Sequence, residues 1–230
     1  MKRRAALLLM TVTWASVVLA TPLRKKAEKR LNSASDVLQE IMSAPDKGIP
    51  EEVMEGAKCI AVIPHEIHGA LVFGARHGKG VATCRTAKGW SAPAFFTITG
   101  GSWGVQVGLE GVDNVLMIMN QKGMARLFSD KFQIGAQVSA AAGPVGRHAS
   151  AGTDWKLETE ILSYARAKGA FVGVSLDGAW VRPDNEAMLA LYGPDASVRD
   201  VLLGSVPPPA SAHTFLAAVR SAELRAKKES

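Results

Sequence analysis

The sequence predicts an α+β fold: a mainly antiparallel, glycine-rich β-sheet, barrel-like or strongly curved, with an N-terminal amphipathic helix and C-terminal helices. Three observations predict it. Strand-length apolar runs follow one another at short spacing from residue 59 to residue 175, without the alternating helices of a parallel α/β fold. Ten of the 22 glycines fall within residues 69–111, between those runs. The long helix-period patterns lie outside this region, at 23–43, 185–192 and 209–225.

The chain begins with a basic stretch, Lys2, Arg3 and Arg4, followed by sixteen uncharged residues that end in Val18-Leu19-Ala20. This is the layout of a secretory signal peptide cleaved after Ala20, so the protein is expected to be exported, periplasmic or secreted. Five basic residues follow at once, which disfavours translocation of the hydrophobic segment, so an uncleaved membrane anchor is the alternative. Residues 21–226 then form one domain, with no fixed-period repeat and no linker.

Residues 23–43 read as the amphipathic helix, with Thr21 as cap, Pro22 at its first position and Pro45 beyond its end. Leu23, Ala27, Leu31, Ala34, Leu38, Ile41 and Met42 fill one stripe at helical spacing. Pro50-Glu51-Glu52 opens a short second helix, with acids where the helix dipole favours them. Residues 59–63 and 115–119 read as buried strands, and 70–74, 79–84, 94–99 and 103–108 as strands between glycines. Val105 and Val107 alternate with Gly104, Gln106 and Gly108 in a half-buried pattern. A short helix is expected at 121–129, and strands again at 132–141, 159–166 and 170–175.

The formal net charge is +6. Loss of residues 1–20 leaves 24 basic and 21 acidic residues, a net +3. Residues 24–30 alone hold five basic residues and one acid, so the rest of the domain is close to neutral. That concentration argues against nucleic-acid binding and for one basic, amphipathic end. Cations at a helix N-terminus cost roughly 0.3–1 kcal/mol each. Helix stability therefore does not explain Arg24, Lys25 and Lys26, whereas anionic lipid headgroups would. The plainer alternative is a solvated outer face on a helix packed against the domain.

Other motifs point to chemistry only weakly. Gly100-Gly101-Ser102-Trp103-Gly104 matches G-x-S-x-G, with Asp113 or Asp130 and then His148 in hydrolase order, but a strand pattern follows the serine where the elbow needs a helix. His65-Glu66-Ile67-His68 is one residue short of the zinc-protease motif, and with Cys59, Cys84 and His77 it matches no standard ligand spacing. No catalytic residue, metal or cofactor is expected. Gly74 to Gly80 fits no phosphate-binding loop and reads as a tight turn between strands. Cys59 and Cys84 form a disulfide or stay as two buried thiols, and spacing does not decide between them.

Six stretches in order carry a resemblance: residues 57–62 (AKCIAV), 78–81 (GKGV), 88–93 (KGWSAP), 107–120 (Val107-Gly108 through Asp113-Asn114-Val115-Leu116 to Asn120), 143–147 (GPVGR) and 173–178 (GVSLDG). Residues 23–220 resemble the SYLF domain family, in its bacterial exported form. The resemblance implies a non-enzymatic lipid-binding module with a preference for phosphoinositides, and in some members actin binding. It implies membrane contact through the basic amphipathic helix: Arg24, Lys25, Lys26, Lys29 and Arg30 on phosphates, with Leu31 and Leu38 as apolar contacts. An exported protein meets anionic phospholipid sooner than cytosolic actin, so anionic membrane lipid is the expected partner and a protein partner the alternative.

Overall fold

The structure is a computed structural model. It describes residues 2–44, 48–70, 74–102, 108–144, 159–167, 170–172 and 175–229, and among these the side chains of all but 2–21, 68–70, 74, 102, 108–110, 171–172 and 228–229. Helices are α1 (Lys2–Met42), α2 (Glu51–Gly56), α3 (Gln121–Leu127), α4 (Asn185–Tyr192), α5 (Val198–Leu202) and α6 (His213–Glu229). Strands are β1 (Cys59–Ala70), β2 (Gly74–Thr86), β3 (Gly89–Trp90), β4 (Ala94–Ser102), β5 (Gly108–Ile118), β6 (Phe132–Gln133), β7 (Ala140–Ala142), β8 (Ile161–Ala167), β9 (Ala170–Val172) and β10 (Trp180–Pro183).

The strands form one curled sheet in the order β6-β10-β4-β2-β1-β5-β8-β7, with β3 on β2 and β9 on β8. Every pairing is antiparallel except β7 with β8. The two outermost strands, β6 and β7, are close in sequence. The chain leaves β10's side after Ile134, turns at Gly135 (φ +88°) and reaches β8's side at Ser139. One short segment therefore lies along both ends of the sheet and draws them together. The expected strand at 132–141 is broken here because it must serve two neighbours.

Strand alternation gives the sheet two buried faces. Ala61, Ile63, Phe96, Ile98, Leu116, Ile118, Ile161 and Val181 point inward, against Leu127 of α3 and against Phe132 and Ile134. They leave a cavity of only about 30 Å³ between them, so this part of the interior is closely packed. Val62, Val81, Phe95 and Val115 point outward and are buried beneath the helices. α1 packs on α6, α4 and β1. Its stripe of Ala27, Leu31, Ala34, Leu38, Ile41 and Met42 is almost wholly buried, so the predicted amphipathic face meets the domain's own core.

The glycines of the GKGV stretch lie inside β2 and make no turn, which corrects the sequence expectation. A Cβ on Gly78 would stand 2.7 Å from Ile63 Cγ2, and one on Gly80 would stand 2.7 Å from the Val62 carbonyl oxygen. Both glycines face inward where β1 crosses closely over β2, and any side chain would push the curl open. A bulge in β1 at residues 63–66 sharpens that bend. The helix start also differs. α1 runs unbroken through Pro22 instead of starting there; the proline removes one intrahelical hydrogen bond without stopping the helix. Most of the predicted strand at 103–108 lies outside the described residues.

Glu160 fastens the seam beside β8. Its buried carboxylate accepts hydrogen bonds from the Ser139 amide (2.6 Å) and hydroxyl and meets Lys122 Nζ at 2.5 Å. Burial alone would raise its pKa, but the bonds from Lys122 and Ser139 outweigh that and pull it from 4.5 down to about 2. The folded state thus binds this proton less readily than the unfolded chain. The stabilisation is complete above about pH 4.5 and is lost as pH falls toward 2; the gap corresponds to about 3 kcal/mol. Urea unfolding at stepped pH should show that loss in the wild type, and Glu160→Gln should flatten it.

Candidate functional site

The basic end of α1 is held in place by one buried carboxylate. Asp184 follows β10 and caps α4, accepting from the Ala187 amide. Its Oδ2 receives Arg30 Nη1 at 2.9 Å and Lys79 Nζ at 3.0 Å. Burial pushes the Asp184 pKa up, but the bond from Lys79 and the charge of Arg30 hold it below the usual carboxylate range. The Arg30 guanidinium also lies 5.3 Å from the centre of the Phe95 ring. With its side chain only 11% exposed, Arg30 anchors the helix to the sheet and does not face solvent.

This divides the residues predicted for headgroup contact. Lys25, Lys26 and Lys29 are exposed, and Arg24 is exposed with its Nε 3.0 Å from Glu28, one turn on. Arg30 is taken by Asp184, and Leu31 and Leu38 have no exposed surface. In this fold Leu31 and Leu38 are core residues, which corrects the expectation that they touch acyl chains. The physical reason is that one apolar stripe has one partner, and here the sheet and α6 occupy it.

Cys59 and Cys84 are bonded to each other. They lie directly opposite on β1 and β2, both fully buried, and Cys84 turns its amide and carbonyl away from β1 toward Ser91. This is a non-hydrogen-bonded position, where opposed residues approach most closely.

The residues considered for catalysis do not assemble into a site. β4 ends at Ser102, whose side chain lies outside the described set, as do Trp103, Gly104 and His148. His65 sits in the β1 bulge with φ +50°, largely exposed, its Nδ1 3.1 Å from Asp113 Oδ1. Its neighbour Glu66 is turned the other way, fully buried, accepting from Asn114 Nδ2 at 3.0 Å and lying 3.8 Å from Arg76 Nη1. Among the described residues, no group of three or more His, Cys, Asp or Glu is placed to hold a metal. Asp184 is what the sequence reading missed. A cap signal before residue 185 was legible, but its pairing with Arg30 spans 154 residues of chain.

Among the described residues, the inward side chains pack together and the cationic end of α1 lies on the surface. The class of protein this defines is a curled half-barrel domain carrying a helix with a cationic end. Residues 99–222 match the family described as "Ysc84: Las17-binding protein actin regulator", and the chain belongs to that family. It is 32% identical to the rat "SH3 domain-containing YSC84-like protein 1" over 82% of its length and 55% of the relative. It is 34% identical to the yeast "LAS seventeen-binding protein 3" over 80% of its length and 40% of the relative. For the yeast "Protein YSC84" the figures are 30%, 87% and 44%. The chain thus spans about half the length of these relatives, one of which is named as a binding protein.

Proposed function

We propose that this domain is a non-enzymatic, exported module that binds anionic phospholipid or phosphoinositide headgroups through the basic end of α1. The observation that carries the reading is the placement of Lys25, Lys26 and Lys29. All three are exposed, unpaired by any carboxylate among the described residues, and early in the domain's part of the helix, while Arg30 and the apolar stripe lock that helix to the sheet. Anionic headgroups would reward charges that fold stability does not, by about 1 kcal/mol per basic residue near the surface. The buried disulfide supports export, since such bonds persist in oxidising compartments. The uncharged N-terminal segment supports it too. Because Leu31 and Leu38 are enclosed, the contact in this reading is electrostatic and superficial rather than inserted.

A second reading has its own support: relatives named for binding Las17 favour a protein-interaction surface on this domain. Vesicle pelleting separates the two. Lys25→Gln, Lys26→Gln and Lys29→Gln together should weaken binding to phosphatidylglycerol-containing vesicles by roughly two orders of magnitude at low salt, and leave the melting temperature unchanged. Unchanged pelleting of the triple variant, or no pelleting of the wild type, would favour the protein-interaction reading.

A further inference from the structure

The helices cover only part of the outer face of the sheet. Directly opposed residues in antiparallel strands share a face, so the registers define rows across it. The row of Val62, Val81 and Phe95 is buried. The next row runs Lys79–Thr97–Arg182 across β2, β4 and β10. The row beyond runs Ile67–His77–Thr99–Trp180 across β1, β2, β4 and β10. Thr97 is buried, but Arg182 and His77 are exposed, Ile67 is 50% exposed, and Lys79 keeps 43% of its side chain in solvent. Trp180 is half-buried, with Lys131 Nζ 3.8 Å from the centre of its ring.

This uncovered shelf is continuous with the basic end of α1. Arg30 and Lys79 share one oxygen of Asp184, and Lys26 lies one turn before Arg30 on the same flank of the helix. From there the cations continue across the sheet: Lys79 and Arg182 stand astride Thr97, about 10 Å apart at the usual cross-strand spacing, and Lys131 lies beyond. The two rows carry no carboxylate among the described residues. Asp130 and Asp177 lie in turns at the rim, and Asp113 is engaged by His65 at the far end. Among the described residues neither Arg182 nor Lys131 meets a carboxylate, and Lys131 rests on the Trp180 ring instead.

We infer that this shelf is a second part of an anionic phospholipid surface, with Arg182, Lys131 and the free side of Lys79 contacting phosphates and Trp180 lying at headgroup level. Charge complementarity identifies the occupant, and a half-buried tryptophan beneath a lysine suits a boundary that is apolar on one side and wet on the other. The inference rests on the lipid reading above and extends it from a helix to a face.

The test uses the mature domain and vesicles of phosphatidylcholine with phosphatidylglycerol. Arg182→Gln with Lys131→Gln should weaken binding roughly 30-fold at low salt, at the scale of one basic residue near an anionic surface each. Arg182→Lys, which keeps the charge, should bind as the wild type does. Brominated lipid should quench the wild-type fluorescence, and Trp180→Phe should remove most of that quenching. If the double variant and Trp180→Phe match the wild type while the triple lysine variant of α1 loses binding, the shelf inference is overturned and the lipid reading stands. If the wild type binds no vesicle, both are overturned.

Discussion

Replacing Asp184 by alanine is expected to destabilise the domain by about 3–5 kcal/mol, the cost of removing one partner from a buried ion pair. The substitution leaves Arg30 almost enclosed beside Phe95 with no counter-charge, and frees Lys79. It also removes the side chain that caps α4. Asp184→Asn separates these effects. It keeps an oxygen for the cap but not the charge, and should recover only the capping share, about 1 kcal/mol. Urea unfolding of the three proteins measures the difference. Equal stability of wild type and Asp184→Ala would show that Arg30 finds solvent without cost and that α1 is not tied down at this point. The same experiment bears on function, because a loosened N-terminal half of α1 would expose Leu31, and vesicle binding by Asp184→Ala would then gain a component insensitive to salt.

Gly143→Ala should be the most damaging substitution of a single hydrogen by a methyl group. Gly143 follows β7, its amide bonded to the Ser163 carbonyl, and passes directly over the buried ring of Tyr164. A Cβ there would run into the Tyr164 ring, overlapping Cζ, Cε2 and Cε1. The ring is enclosed, so either it is expelled from the core or β7 lifts from β8; overpacking of this kind costs about 3 kcal/mol or more. Tyr164→Leu removes the obstructing ring atoms, and in that background Gly143→Ala should cost far less. A double-mutant cycle on unfolding free energies gives the coupling directly. Additive costs would mean that the methyl group is accommodated by the backbone rather than by the ring.

These two sites show where the sequence was legible and where it was not. Periodicity exposed the α1 stripe because a helix that buries one face repeats its apolar residues at about 100° per residue whatever it packs against. For the same reason periodicity could not say whether Leu31 and Leu38 meet a membrane or a sheet. The glycines at 78 and 80 were visible as a motif, but they looked like a turn. Glycine marks close approach as well as chain reversal, and only the crossing of β1 over β2 distinguishes the two. Gly143 stood out in the GPVGR stretch with no indication that it covers Tyr164.

By itself the sequence determined what depends on neighbours a few residues apart. It defined the curled antiparallel sheet between helices, the local concentration of positive charge at 24–30, and the two cysteines as the sole candidates for a bridge. The tertiary structure decided what depends on residues far apart in the chain meeting in space. It paired Cys59 with Cys84 across two strands, removed Arg30 from the exposed cations by seating it on Asp184, and aligned Lys79 with Arg182 through strand register. Charge is a property of residues, but whether a charge is available to a partner is a property of the fold. A buried carboxylate 154 positions away turns one arginine of the basic cluster into an anchor and leaves its lysine neighbours exposed.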